Sequence, residues 1–113
     1  MIKYSEIKFT VKVEEEDIDP RNMNYIDNDP EVIQAILDNM AASEYGWAYV
    51  VVIAEWNGFR GEYSVGGISY ASKQEFEENE LDNMKSEAVG ELLENVNKSF
   101  MILANHYPLE LVK

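Results

Sequence analysis

Residues 46–70 read GWAYVVVIAEWNGFRGEYSVGGISY, and this stretch decides the fold. Asn57-Gly58 stands at its middle, and both residues accept the positive φ that a two-residue type I′ turn requires at its central positions. A turn placed there sets the pairing of the flanking strands. Trp56 faces Phe59, Ala54 faces Gly61, Val52 faces Tyr63, Val50 faces Val65 and Ala48 faces Gly67, all on one almost wholly apolar side. On the other side Glu55 meets Arg60, Ile53 meets Glu62 and Val51 meets Ser64, so opposite charges meet across the strands and the face is mixed. The first face belongs to a core, and the second is half exposed.

Working outward toward the N-terminus, Gly46 breaks the hairpin from an amphipathic segment in which Val32, Ile33, Ile36, Leu37 and Met40 recur at helical spacing up to about Ser43. Asp29-Pro30-Glu31 starts that helix: Asp caps the free amides, Pro fits the first turn, and Glu complements the positive end of the dipole. Before it, the acidic and proline-containing stretch from roughly Glu15 to Asp29 reads as a loop. From Glu6 to Glu14 the residues alternate, with Ile7, Phe9, Val11 and Val13 on one side and Lys8, Thr10, Lys12 and Glu14 on the other, which is the pattern of a half-buried strand.

Toward the C-terminus, Ser72 and Glu75 form a capping box that opens a second helix. The run EENE interrupts its apolar periodicity, so a kink or short break is expected near Asn79. Beyond it Leu81, Ala88, Val89, Leu92, Leu93, Val96, Phe100 and Leu103 share one face to about Asn105, while Glu80, Glu87, Glu91, Glu94 and Lys98 project from the other. Lys85 falls on the apolar side, where its stem must snorkel. Pro108 ends any helix, and LELVK at the terminus reads as a short added strand or as nothing regular. The order is β-α-β-β-α: an α+β fold, residues 1–113 as a single domain, with a three-stranded antiparallel or mixed sheet and two helices packed on one face. Ile7, Phe9, Val11, Val13, Val50, Val52, Tyr63, Val65, Ile36, Leu92 and Val96 are the expected core.

Charge is the outlier in composition. Asp and Glu number 22 against 9 Lys and Arg, a net charge of −13. Self-repulsion of that size opposes compaction, so a reason for keeping it is expected, and direct binding to nucleic acid or to an anionic membrane is not. There is no Cys, hence no disulfide and no thiolate metal site. The N-terminus has no signal-peptide run and no window is apolar enough to span a bilayer, so a cytoplasmic protein is expected.

No catalytic constellation emerges. His106 is the lone histidine, there is no nucleophile elbow, and Gly66-Gly67 lacks any phosphate-loop context, reading instead as a bulge. Asp17, Asp19, Asp27, Asp29 and Glu31 crowd one loop, but the EF-hand spacing fails at Arg21 and at Val32, leaving only an irregular Ca²⁺ site to consider. The expectation is a protein that is not an enzyme and has no cofactor and no metal. Two surfaces remain. The acids Glu14, Glu15, Glu16 and Asp17 after the first strand, Glu77, Glu78 and Glu80 at the second helix start, and Glu87, Glu91 and Glu94 along it offer a phosphate-like field to a basic partner. Trp47 and Tyr49, on the mixed face of the hairpin, offer an aromatic contact for a partner or a second copy.

The hairpin and following helix resemble a group of small phage and prophage proteins of unknown function. Trp47, Glu55-Trp56-Asn57-Gly58-Phe59 with Gly61, Gly66-Gly67 with Ser69-Tyr70 and Ser72, then Phe76 and Asp82 with Met84, carry the likeness over about half the chain. It transfers no functional residue. It implies a phage-like setting inside a bacterial host, where small acidic inhibitors of host defence, anti-CRISPR and anti-restriction proteins among them, are common. The leading expectation is thus an acidic, DNA-mimic-like inhibitor that binds a basic nucleic-acid-binding surface of a bacterial defence protein. The alternative is a non-enzymatic scaffold or homodimer using the aromatic face.

Overall fold

The computed structural model describes residues 2–17, 19 and 29–106. The tail from 107 on and the loop positions 18 and 20–28, including Asp27 and Arg21, lie outside them. The chain is α+β: β1 (Lys8–Glu15), α1 (Pro30–Ala42), β2 (Ala48–Trp56), β3 (Phe59–Ile68), α2 (Lys73–Phe76) and α3 (Asp82–His106). All three strands are antiparallel in the order β1-β2-β3, so β2 is central.

The turn is where the sequence puts it. Asn57 has φ 48° and Gly58 φ 81°, and the pairing runs as expected from Trp56↔Phe59 to Val50↔Val65. Ala48 then pairs with Ile68 rather than with Gly67. The extra residue is a bulge at Gly66-Gly67, where Gly67 takes φ 67°, a conformation that a β-carbon disfavours. β1 adds to the free edge of β2 with Lys8 opposite Glu55 and Glu15 opposite Ala48, so the strand runs one residue further than the loop boundary expected at Glu15.

Ser72 caps α2, its hydroxyl accepting from the Glu75 amide at 3.1 Å. Instead of a break near Asn79, a π turn over Glu77–Leu81 carries α2 into α3 without leaving helical geometry. This turn matters for packing. Phe76 and Met84, eight residues apart, would point about 80° apart on a pure α-helix; the π turn spends additional residue per turn and brings both to the sheet. Phe76, Met84, Ala88 and Leu92 are fully buried against Ala48, Val50, Val52, Ala54 and Ile68, with Tyr45 stacked on Phe76 at 4.7 Å. Full burial of each large side chain contributes about 1.5–3 kcal/mol.

One expected core position and two positions of the expected apolar helix face differ. Val11 lies on the core face but is 37% exposed, because α3 packs along β3 and β2 and leaves the β1 edge open. Leu93 and Phe100, expected on the buried stripe, are 41% and 72% exposed. The stripe that packs is the i, i+4 row Met84–Ala88–Leu92, and Val96 packs against the core one turn further on. Ile36 is buried, but with Ile33 and Trp47 in a separate small cluster. Lys85 snorkels as expected, its ammonium 5.1 Å from the centre of the Phe9 ring.

α1 begins as the sequence predicts, with Asp29 accepting from the Glu31 amide at 2.9 Å and Pro30 in the first turn. Its C-terminal end is tied to the open end of the hairpin. The Asn39 amide donates to the Ser69 hydroxyl at 3.1 Å, and the Ser43 hydroxyl donates to the Tyr70 carbonyl at 3.2 Å.

Candidate functional site

The acids singled out in the sequence fall into three settings. Glu14 and Glu15 are exposed at the end of β1, on the rim of a concavity of about 320 Å³ that Val13, Met40 and Trp47 also line. Glu44, which the sequence reading passed over, joins them there. Asp17 is exposed, whereas Glu16 is half-buried and accepts from the Gly67 amide at 2.8 Å. A carboxylate fixed on the bulge amide serves the fold, so Glu16 is removed from the free acidic surface.

The π turn holds the second group. Glu77 and Glu78 are exposed, and Glu78 accepts from the Gln74 amide at 3.0 Å. Glu80 is half-buried and accepts from the Tyr70 hydroxyl at 2.8 Å. Burial, with that hydrogen bond and the charges of Glu80 and Glu75, pushes the Tyr70 hydroxyl up to about 12 from its ordinary 10. Burial also raises Tyr45, helped by Glu44 and Glu77. A hydroxyl whose folded value lies above its unfolded value stabilises the protein while protonated. That contribution is complete below pH 10 and is lost as pH climbs through about 12. Thermal melts between pH 9 and 12 are therefore expected to show a shallower alkaline loss in Tyr70→Phe than in the parent; equal slopes would contradict the assignment.

Glu87, Glu91 and Glu94 form the third group and the most coherent one. All three are exposed on consecutive turns of α3, about 5–6 Å from one to the next. With Glu62, Tyr63, Asn95 and Lys98 they line a shallow groove of about 460 Å³ between α3 and β3. Gly61 is what lets the groove form. Without a side chain there, the α3 backbone settles directly on β3 and the neighbouring Glu62 comes level with the helical row. At the end nearer the turn, the Asn95 amide donates to the Arg60 carbonyl at 2.6 Å and fixes the helix to the strand. Glu62 forms an ion pair with Arg60, while Glu87, Glu91 and Glu94 make no ion pair with any described residue. Glu62 is the member of this site that sequence reading missed; the signal for it was the glycine beside it.

The first and third groups are not continuous. Glu14 and Glu15 lie on the β1 edge by the open end of the hairpin, and Glu62 with the α3 row lies on the β3 edge. The aromatic pair also separates. Trp47 is 4% exposed beneath Ile33 and Ile36 of α1, so it is not a surface contact as the hairpin pattern suggested, and Tyr49 alone remains at 37%. His106 ends α3. Among the described residues no group of three or more His, Cys, Asp or Glu is placed to hold a metal ion, and no helix is long and apolar enough to cross a membrane.

The fold and surface together define an α+β domain, a three-stranded antiparallel sheet backed by a long helix, with an exposed carboxylate row on that helix. Comparison with known protein families, with curated proteins and with solved structures finds no match for this chain.

Proposed function

We propose that the protein is a non-enzymatic acidic inhibitor of the phage type, acting in the cytoplasm of a bacterial host on a defence protein, whose basic nucleic-acid-binding surface it occupies in the manner of a DNA mimic. The row Glu87–Glu91–Glu94 carries this reading. Three carboxylates at near-phosphate spacing, exposed and with no ion pair to any described residue, present the charge pattern that a phosphate-binding channel is built to neutralise. Glu14, Glu15, Asp17, Glu77 and Glu78 extend the negative field around the domain and speed encounter without needing to touch the partner.

Competition tests it. A basic DNA-binding nuclease of a bacterial defence system is incubated with its labelled DNA and increasing amounts of this protein over a salt series. Displacement of DNA is expected at low salt and weakens as salt rises. Reversing Glu87, Glu91 and Glu94 to Lys is expected to weaken displacement by at least about tenfold, because three exposed contacts at ~0.5 kcal/mol each already amount to one decade. Displacement that survives the triple reversal unchanged would remove the α3 row as the binding surface.

A further inference from the structure

We infer that the outer edge of β1 pairs with the same strand of a second copy of this chain, antiparallel about a two-fold axis at Val11, so that two sheets become one. The backbone sets the edge up. β1 ends the sheet, and no described residue pairs with its far side. The Glu16 amide donates to the Trp47 carbonyl at 3.2 Å, which fixes the alternation of the ladder between β1 and β2. The N–H and C=O groups of Lys8, Thr10, Lys12 and Glu14 therefore face β2, and those of Phe9, Val11 and Val13 face outward. Such a row is a template for another strand, and β1 has neither a bulge nor a proline to blunt it.

Charge selects the occupant. Lysines commonly guard an open edge, but against its own copy this strand offers them partners. Lys8 and Lys12 balance Glu14 and Glu15, so β1 has no net charge in a chain of −13. A two-fold axis normal to the sheet keeps both core faces on one side, and the registers centred on Val11 and on Lys12 then pair the most residues. The second sets Lys12 against Lys12 and Phe9 against Glu15. The first sets Lys8 against Glu14 on both sides of the axis, Phe9 against Val13 and Val11 against Val11. Lys8 and Glu14 then meet in non-hydrogen-bonded pairs, where facing side chains come closest. Val11, 37% exposed because α3 packs along β3 and β2, is covered by its own copy. The opposite edge is unsuited to this. β3 is bulged near Gly66-Gly67 and bordered by Glu62, Glu87, Glu91 and Glu94, so two copies there would set carboxylate against carboxylate. Pairing through β1 leaves those acids at the two far ends of the joined sheet, and the two-fold axis closes the contact so that no filament grows.

Sedimentation of the full chain across protein concentration, with amide exchange read on the same unmutated samples, tests the inference. A monomer–dimer equilibrium is expected. The Phe9, Val11 and Val13 amides are expected to exchange fast in the dilute chain and slowly in the concentrated one, while those of Thr10 and Lys12, already bonded to β2, are protected in both. Lys8→Glu alone and Glu14→Lys alone each set like charges face to face twice across the axis, and each is expected to raise the dimer dissociation constant about tenfold. The two together restore opposite charges and are expected to bring it back to within about threefold of the parent. Three results would overturn the inference: a chain that stays monomeric at every concentration, a dimer in which the outward amides of β1 still exchange fast, or a double variant that dimerises no better than either single one. The contact lies at the far side of the sheet from the α3 row, so failure here leaves the proposed partner binding standing.

Discussion

Gly61→Ala is expected to cost about 3 kcal/mol or more, the largest loss from adding a single methyl group to this sheet. A β-carbon at Gly61 would fall 2.3 Å from the Ala88 carbonyl oxygen, 2.3 Å from the Leu92 amide nitrogen and 2.8 Å from the Leu92 α-carbon. These atoms belong to helical backbone, so no side chain can rotate aside. α3 must lift off β3 by roughly 1 Å, and a gap of that size forfeits a quarter to a half of the dispersion energy of each contact it opens. Ala88 and Leu92 are fully buried at this point, so the lift falls on the centre of the core. In a domain whose whole stability is of order 5–15 kcal/mol, the melting temperature is expected to fall by roughly 10 °C or more. Gly90→Ala supplies the contrast. It lies on the same helix with nothing within 4 Å of the added carbon, and it is expected to stabilise by about 0.5–1 kcal/mol. Thermal or urea melts of the two variants check both signs, and a neutral Gly61→Ala would mean that α3 does not rest on β3 at this residue.

The same glycine marks how far the sequence can be read. Features set by neighbours along the chain were legible: the Asn57-Gly58 turn, the register it imposes, the Asp29-Pro30 and Ser72 helix starts, and the bulge at Gly66-Gly67. Each depends on a few consecutive residues whose backbone preferences point one way. The helical stripe was only partly legible: the π turn at Glu77–Leu81 changes the phase of Phe76 against α3, and α3 meets the sheet through the narrow row Met84–Ala88–Leu92. Counting at a constant 100° per residue put Leu93 and Phe100 inside and left out Phe76 and Met84. The site followed the same division. Glu87, Glu91 and Glu94 share a face by local periodicity alone, whereas Glu62 joins them only because α3 lies along β3. Glu16 and Glu80 look like further free acids in the sequence, and their hydrogen bonds to Gly67 and Tyr70 depend on elements that only the fold brings together. Trp47 departs furthest from its pattern. By alternation it belongs on the half-exposed face of the hairpin, yet it is buried, and what buries it is α1, a helix expected beside the second one on the sheet's apolar face.

Gly46→Ala addresses that helix directly and is expected to undock α1 while the sheet and α3 hold. A β-carbon there would sit 2.1 Å from the Asn39 carbonyl oxygen and 2.3 Å from the Met40 amide nitrogen, again backbone atoms that cannot turn away. The contact lies at the C-terminal end of α1, beside the bonds from Asn39 to Ser69 and from Ser43 to Tyr70 that fasten the helix to the open end of the hairpin. Forcing the two backbones apart strains both bonds and uncovers Trp47 from Ile33 and Ile36, at a cost of about 1–3 kcal/mol. Because that cluster is separate from the main core, the loss is local. With Trp56→Phe leaving Trp47 as the sole indole, Gly46→Ala is expected to shift tryptophan emission to the red. Amides of residues 36–42 are expected to exchange faster, while those of residues 50–54 keep their protection. A unified collapse, with β2 exchanging as fast as α1, would show instead that α1 and the sheet fold as one unit. In that case the Trp47 cluster, small as it is, would be a condition for the sheet and not an attachment to it.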